Sequence, residues 1–151
     1  MKIIFLDING VLDTYEEMDV VNQSNLLRLK YIVEQTRSSI VVSSSLKNSF
    51  YYTGRYNNLL LEIISLLEKN GINVIGITPN GENREEEIQM YLDLHPEITD
   101  FCIIDDDYDM NSFKNNIVKL PSQMDGGQGL DDFYMNMAID ILNNRKKRIK
   151  C

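Results

Sequence analysis

The chain has little cysteine, almost no histidine, no long apolar run and a shortage of positive charge. Each shortage excludes a class of function. Its two cysteines, Cys102 inside an apolar stretch and Cys151 at the end, are too few and too badly placed for a disulfide framework. A reduced, cytoplasmic protein is the expectation. The single histidine, His95, precedes Pro96 and lacks partners at ligand spacing, so a helix-end or surface role is expected rather than a metal one. The apolar stretch Ile3–Leu6 is far too short for a signal h-region or a membrane span, and no membrane association is expected. Fifteen Lys and Arg face 23 Asp and Glu, a net charge of −8, and such a field does not favour nucleic acid. A third of the positive charge sits in Arg145–Lys150 (RKKRIK). That segment reads as a solvated tail, residues 145–151, complementing the C-terminal dipole of the helix before it.

What is present is an ordinary globular composition, 43% hydrophobic and 25% charged over 151 residues, which predicts one domain spanning residues 1–144. Apolar strand-like runs alternate with amphipathic stretches. Lys2–Leu6, Ser39–Val42, Asn73–Ile77, Phe101–Ile104 and Asn116–Leu120 read as strands. Helices are expected through Leu26, Leu27, Tyr31 and Ile32, with Asn22 or Ser24 as N-cap; through Leu59–Leu67, closed by Asn70-Gly71; over Arg84–Leu94; and over Asp131–Asn143. This alternation predicts an α/β, three-layer Rossmann-like fold: a parallel sheet of about five strands with helices on both faces.

In such a sheet the ligand site lies beyond the carboxyl ends of the strands. After the first strand stand Asp7-Ile8-Asn9-Gly10; after the second, Ser43-Ser44-Ser45 and then Lys47. Thr78-Pro79 follow the third, with Arg84 opening the next helix, and Asp105-Asp106-Asp107 follow the fourth. Taken singly, an Asp or a run of Ser after a strand is most often a turn or cap. An acidic triplet is usually a solvated loop. Jointly they mean more. Carboxylates converging from the first and fourth strands repel one another, and a hard divalent cation such as magnesium relieves that repulsion. The serines and a cation from Lys47 or Arg84 then supply donors for phosphate oxygens.

These residues resemble the haloacid dehalogenase (HAD) superfamily. FLDINGVL is similar to its first motif, IVVSS to its second and FCIIDD to its fourth, with Arg84 available as the basic third motif. The four occur in order over residues 3–107. The chain resembles most the small HAD domain of RNA-repair proteins, in its SSS-x-Lys segment, in Thr78-Pro79 before Arg84 and Glu87-Ile88, and in Gly129-Leu130. Where that group has Trp-Arg after the serines, this chain has Leu46-Lys47. The resemblance implies a HAD-type domain without a cap, since no insertion is long enough for one.

It also implies a magnesium-dependent phosphatase. Asp7 would be the nucleophile, forming an aspartyl-phosphate. The ion would be held by Asp7, the carbonyl of Asn9 and Asp105, with Asp106 as second ligand or orienter. Ser44 would bond a phosphoryl oxygen, with Ser43 as the competing register, and the basic role falls to Arg84 first and Lys47 second. An open site suits a phosphorylated substrate that is bulky, such as a protein phosphoresidue or a nucleic-acid end, though the acidic charge does not support the latter.

The departure is Asn9. Active phosphatases of this superfamily carry a second Asp there, which protonates the leaving oxygen and later activates water. Asparagine hydrogen-bonds but trades no proton near neutral pH. Two readings follow: a weakened phosphatase, or an impaired domain that binds phosphate or a partner. A receiver-like signalling domain is disfavoured, because it would carry its acidic pair after the first strand rather than the fourth. Asp13 is not expected to contact substrate. Tyr51, Tyr52 and Tyr56 read as packing under a loop rather than base stacking, and Gly126, Gly127 and Gly129 read as a turn rather than a phosphate cradle.

Overall fold

A computed structural model describes residues 1–46, 55–107 and 109–143, with backbone alone at 55–58. Lys47, Tyr51, Tyr52 and the tail 145–151 lie outside the described residues, as does the side chain of Tyr56.

The apolar runs form β1 (Lys2–Leu6), β2 (Ser39–Val42), β3 (Val74–Ile77), β4 (Asp100–Asp105) and β5 (Ile117–Lys119). All pairings are parallel, in the order β3-β2-β1-β4-β5. The chain therefore builds outward from β1 to one side, then returns to add β4 and β5 on the other. The switch point falls between β1 and β4, where an open α/β sheet binds its ligand. A receiver-like domain would follow the order 2-1-3-4-5, so this topology removes that alternative.

The helices are α1 (Gln23–Thr36), α2 (Arg55–Lys69), α3 (Arg84–Leu94) and α4 (Asp132–Leu142). Asn22 is the N-cap of α1, its side chain accepting from the Asn25 N–H, and Gly71 at φ +78° follows α2 in the left-handed region that a helix end requires. Asn83 and Asp131 cap α3 and α4 in the same way, and Glu85, Glu86 and Glu87 in the first turn of α3 suit its dipole.

Alternation along β1 divides the core into two layers. Ile4 and Leu6 face α1, α2 and α4 through Leu29, Ile32, Leu60, Leu67, Ala138 and Leu142. Ile3 and Phe5 face α3 and a short 3-10 turn, Asn111–Phe113, through Ile88, Tyr91 and Phe113. On that thinner side the rings carry much of the packing: Phe5 meets Tyr91 and Phe101 edge-on at centroid distances of 5.8 and 5.7 Å. Gly76 in β3 makes room for Tyr91, whose hydroxyl lies 2.6 Å from where a Cβ would stand. No described helix is long and apolar enough to cross a membrane.

Candidate functional site

The sheet register decides which residues meet. Leu6, Val42, Ile77 and Ile104 are paired across β1, β2, β3 and β4. One step beyond them stand Asp7, Ser43, Thr78 and Asp105, a row along the carboxyl edge. Its backbone ladder continues through Asp7 N to Ile104 O at 3.0 Å, Ser43 N to Leu6 O at 2.8 Å and Thr78 N to Val42 O at 3.0 Å. The strand ends that carry Asp7, Ser43 and Asp105 are held in the core, since Leu6, Val42 and Ile104 are fully buried, whereas β3 is only partly covered.

Asp7, Asp105 and Asp106 are all buried, and each offers a carboxylate oxygen within 4.8 Å of the others. Burial, reinforced by the charges of Asp105 and Asp106, pushes the Asp7 carboxyl well above its ordinary range, while Arg84 opposes the shift. Asp7 Oδ1 accepts from the Ile8 N–H at 2.9 Å, and Asp105 Oδ1 from the Asp107 N–H at 2.8 Å. Asp106 is placed by close approach. Gly10 has φ +85°, and a Cβ there would lie 2.0 Å from Asp106 Oδ2, so only glycine allows that carboxylate to sit against the first loop. Three carboxylates with neither thiolate nor imidazole suit a small hard cation such as magnesium.

Arg84, the first residue of α3, reaches back into the row. Its Nη1 lies 3.0 Å from Asp105 Oδ2 and 3.7 Å from Asp7 Oδ1, and it also donates to the Ser43 carbonyl. Glu87 steadies the guanidinium from the next turn at 3.8 Å, while its other oxygen accepts from the Gly81 N–H. Removing a buried ion-pair partner leaves uncompensated charge, at a cost of about 3–5 kcal/mol. Arg84→Ala should therefore lower the unfolding free energy of the metal-free protein, read from urea curves, by that order. Millimolar magnesium should recover part of the loss, because a cation bound there would neutralise the same carboxylates. Equal losses with and without magnesium would contradict this reading of the cluster.

The two candidate serines differ in their surroundings. Ser44 Oγ accepts from the Leu46 N–H at 3.3 Å, closing a turn. Ser43 Oγ, on a residue 1% exposed, has no hydrogen-bond partner among the described residues. Above the row opens a cleft of about 160 Å³ lined by Asp7, Asn9, Ser45, Arg84, Asp106, Asp107 and the segment Ser122–Met124. That last segment belongs to a 3-10 turn, Gln123–Asp125, following β5, and no sequence motif marked it. Its one advance signal is position, since it too follows the carboxyl end of a strand.

Other singled-out residues lie elsewhere. His95 stacks on Tyr91 at 4.2 Å and meets Glu97 through Nδ1 at 3.0 Å, away from the carboxylate cluster. Asp13 is buried beneath the first loop rather than lining the cleft. Gly126 ends the 3-10 turn at φ +90°, and Gly129 packs where a Cβ would meet the carbonyls of Val11 and Asp13.

A family model described as the HAD domain in Swiss Army Knife RNA repair proteins matches residues 3–132. No curated protein and no solved structure matches the chain.

Proposed function

Because the chain belongs to the family of HAD domains in Swiss Army Knife RNA repair proteins, we propose that it is a magnesium-dependent phosphatase working through Asp7. The observation that carries this reading is the convergence of Asp7, Asp105 and Asp106 at the topological switch point. The ion would be held by Asp7, Asp105, the Asn9 carbonyl and Asp106. When bound, magnesium neutralises the carboxylates and polarises the phosphoryl group.

Asp7 Oδ attacks phosphorus, the bond to the leaving oxygen breaks, and an aspartyl-phosphate forms on Asp7. Water then attacks that phosphorus, releasing inorganic phosphate and restoring the carboxylate. Ser43, the alternative register to Ser44, takes the phosphoryl contact: its buried hydroxyl lacks a partner among the described residues, and the residue stands in the row with Asp7. Buried polar groups are seldom left unsatisfied, so an unpaired hydroxyl there is best explained by a ligand. Arg84 holds the row in place and faces the same phosphoryl oxygens. Lys47, outside the described residues, is the second candidate for that charge.

The cleft is well under the roughly 300–1,000 Å³ of sites that engulf a small ligand. It admits a phosphoryl group and little more, so the rest of the substrate stays outside. That suits the end of a large molecule. The acidic chain disfavours a nucleic-acid end unless another protein supplies positive charge. Asn9 favours a second reading, a domain that binds phosphate or a partner and turns over slowly or not at all.

p-Nitrophenyl phosphate separates the two readings. A phosphatase releases nitrophenolate with magnesium and stops with a chelator. Absence of release by both the chain and its Asn9→Asp variant would leave the binding domain.

A further inference from the structure

The first loop and the turn after β5 are joined by one buried carboxylate that no catalytic motif accounts for. Asp13, 3% exposed, accepts three N–H groups. Oδ1 takes the Gly10 N–H at 2.6 Å and Gln123 Nε2 at 2.8 Å, and Oδ2 takes the Asp19 N–H at 2.8 Å. Asp13 is itself held fast. Its carbonyl accepts from the buried Asn25 side chain, which also donates to the Gln128 carbonyl, and Asp19 closes the loop in the left-handed region at φ +66°.

Each bond on Oδ1 leads to a group assigned to the ion. The Gly10 N–H shares a peptide with the Asn9 carbonyl. That peptide is planar and trans, so its N–H and C=O point in opposite directions. Tying the N–H down to Asp13 turns the Asn9 carbonyl to the opposite side. Gln123 provides the second path. Nε2 is anchored on Asp13 Oδ1 and on the Thr14 carbonyl at 3.1 Å, while its backbone N–H donates to Asp106 Oδ2 at 2.9 Å. The Asp106 carboxylate is thereby oriented from a residue 110 positions beyond Asp13 in the chain.

We propose that Asp13, with Gln123, is a positioning residue of the cation site, one carboxylate oxygen setting the direction of both the Asn9 carbonyl and the Asp106 carboxylate. The proposal rests on the assignment of those two groups to the ion. Partners behind metal ligands typically change affinity by about 10–100-fold when removed.

The test is calorimetric titration of the full chain with Mn²⁺, which favours the same oxygen donors as magnesium. Urea midpoints and circular dichroism are measured alongside. Gln123→Ala and Asp13→Ala should each weaken Mn²⁺ binding about 10–100-fold in folded protein. Asp13→Asn keeps an acceptor oxygen for Gly10 and Gln123, so it should bind closer to the parent than Asp13→Ala does. A purely structural brace would lower the urea midpoint and leave the affinity of the folded protein unchanged. If Asp13→Ala fails to fold, Gln123→Ala decides alone, and Mn²⁺ binding within about twofold of the parent would overturn the proposal. The parent titration tests the underlying assignment separately: a parent that binds no Mn²⁺ overturns the site, and the brace with it.

Discussion

Asn9→Asp should raise phosphatase turnover by about 10²–10⁴-fold, the range that general acid–base help contributes. Asn9 lines the cleft and is partly exposed, so a carboxyl there meets both substrate and water. The gain should depend on the substrate. p-Nitrophenolate leaves without a proton, so with that substrate the new acid chiefly speeds hydrolysis of the aspartyl-phosphate. An alkyl phosphate also needs its leaving oxygen protonated, and the gain there should be larger. The parent chain should release about one nitrophenolate per molecule quickly and then slow, the signature of an intermediate formed faster than it is hydrolysed. Rates measured for both proteins on both substrates check this. An unchanged rate would remove the general-acid role from position 9.

Asp7→Asn should cost at least about 10⁴-fold in turnover, since it removes the proposed nucleophile. It should also stabilise the metal-free protein near neutral pH. Burial and the charges of Asp105 and Asp106 raise the carboxyl of Asp7 in the folded state, so the fold holds that proton more tightly than the unfolded chain does. Stability of the metal-free protein therefore falls as pH rises from about 4, the unfolded value, up to the raised folded value. Above that range the penalty is constant. Asparagine keeps an acceptor for the Ile8 N–H and loses the charge. For a chain of this size each 1 kcal/mol of relief raises the melting temperature by about 2–4 °C. The gain should vanish at low pH, where Asp7 is protonated anyway, and should shrink when magnesium stabilises the parent. Melting curves across pH, with and without the ion, check all three. A variant less stable than the parent at pH 7 would contradict the electrostatic account of the cluster.

Much of the fold was legible because a parallel sheet buried on both faces writes its strands as unbroken apolar runs. Lys2–Leu6 and Ser39–Val42 are strands over the residues the pattern predicts, and Arg84–Leu94 is a helix over the residues predicted for it. Edges were less clear. Asn73 lies just outside β3, although its carbonyl still accepts the Ile40 N–H, because a bulge shifts the register between Ile40 and Val41. Asp105 reads as loop by composition, yet it ends β4, held in register opposite Lys119.

The site was legible where local sequence ends a strand, and hidden where distant segments meet. The meeting of Asp7 with Asp105 follows from topology alone. The choice between Ser43 and Ser44 does not, since both follow β2, and only the register sets one of them level with Asp7. Ser122–Met124 carry no motif and lie in a 3-10 turn without the periodicity of a helix or strand. Asp13 and Gln123 pair across 110 residues, and nothing near either one in the chain announces the other.

Phosphoryl transfer to Asp7 is tested by the intact mass of the chain, quenched in acid seconds after mixing with magnesium and p-nitrophenyl phosphate. Because Asn9 supplies no proton transfer for hydrolysis, the intermediate should accumulate. One phosphoryl group per chain is expected, mapped by fragmentation to Asp7, absent with a chelator and absent in Asp7→Asn. An adduct on another residue, or nitrophenolate released with Asp7 never modified, would contradict it.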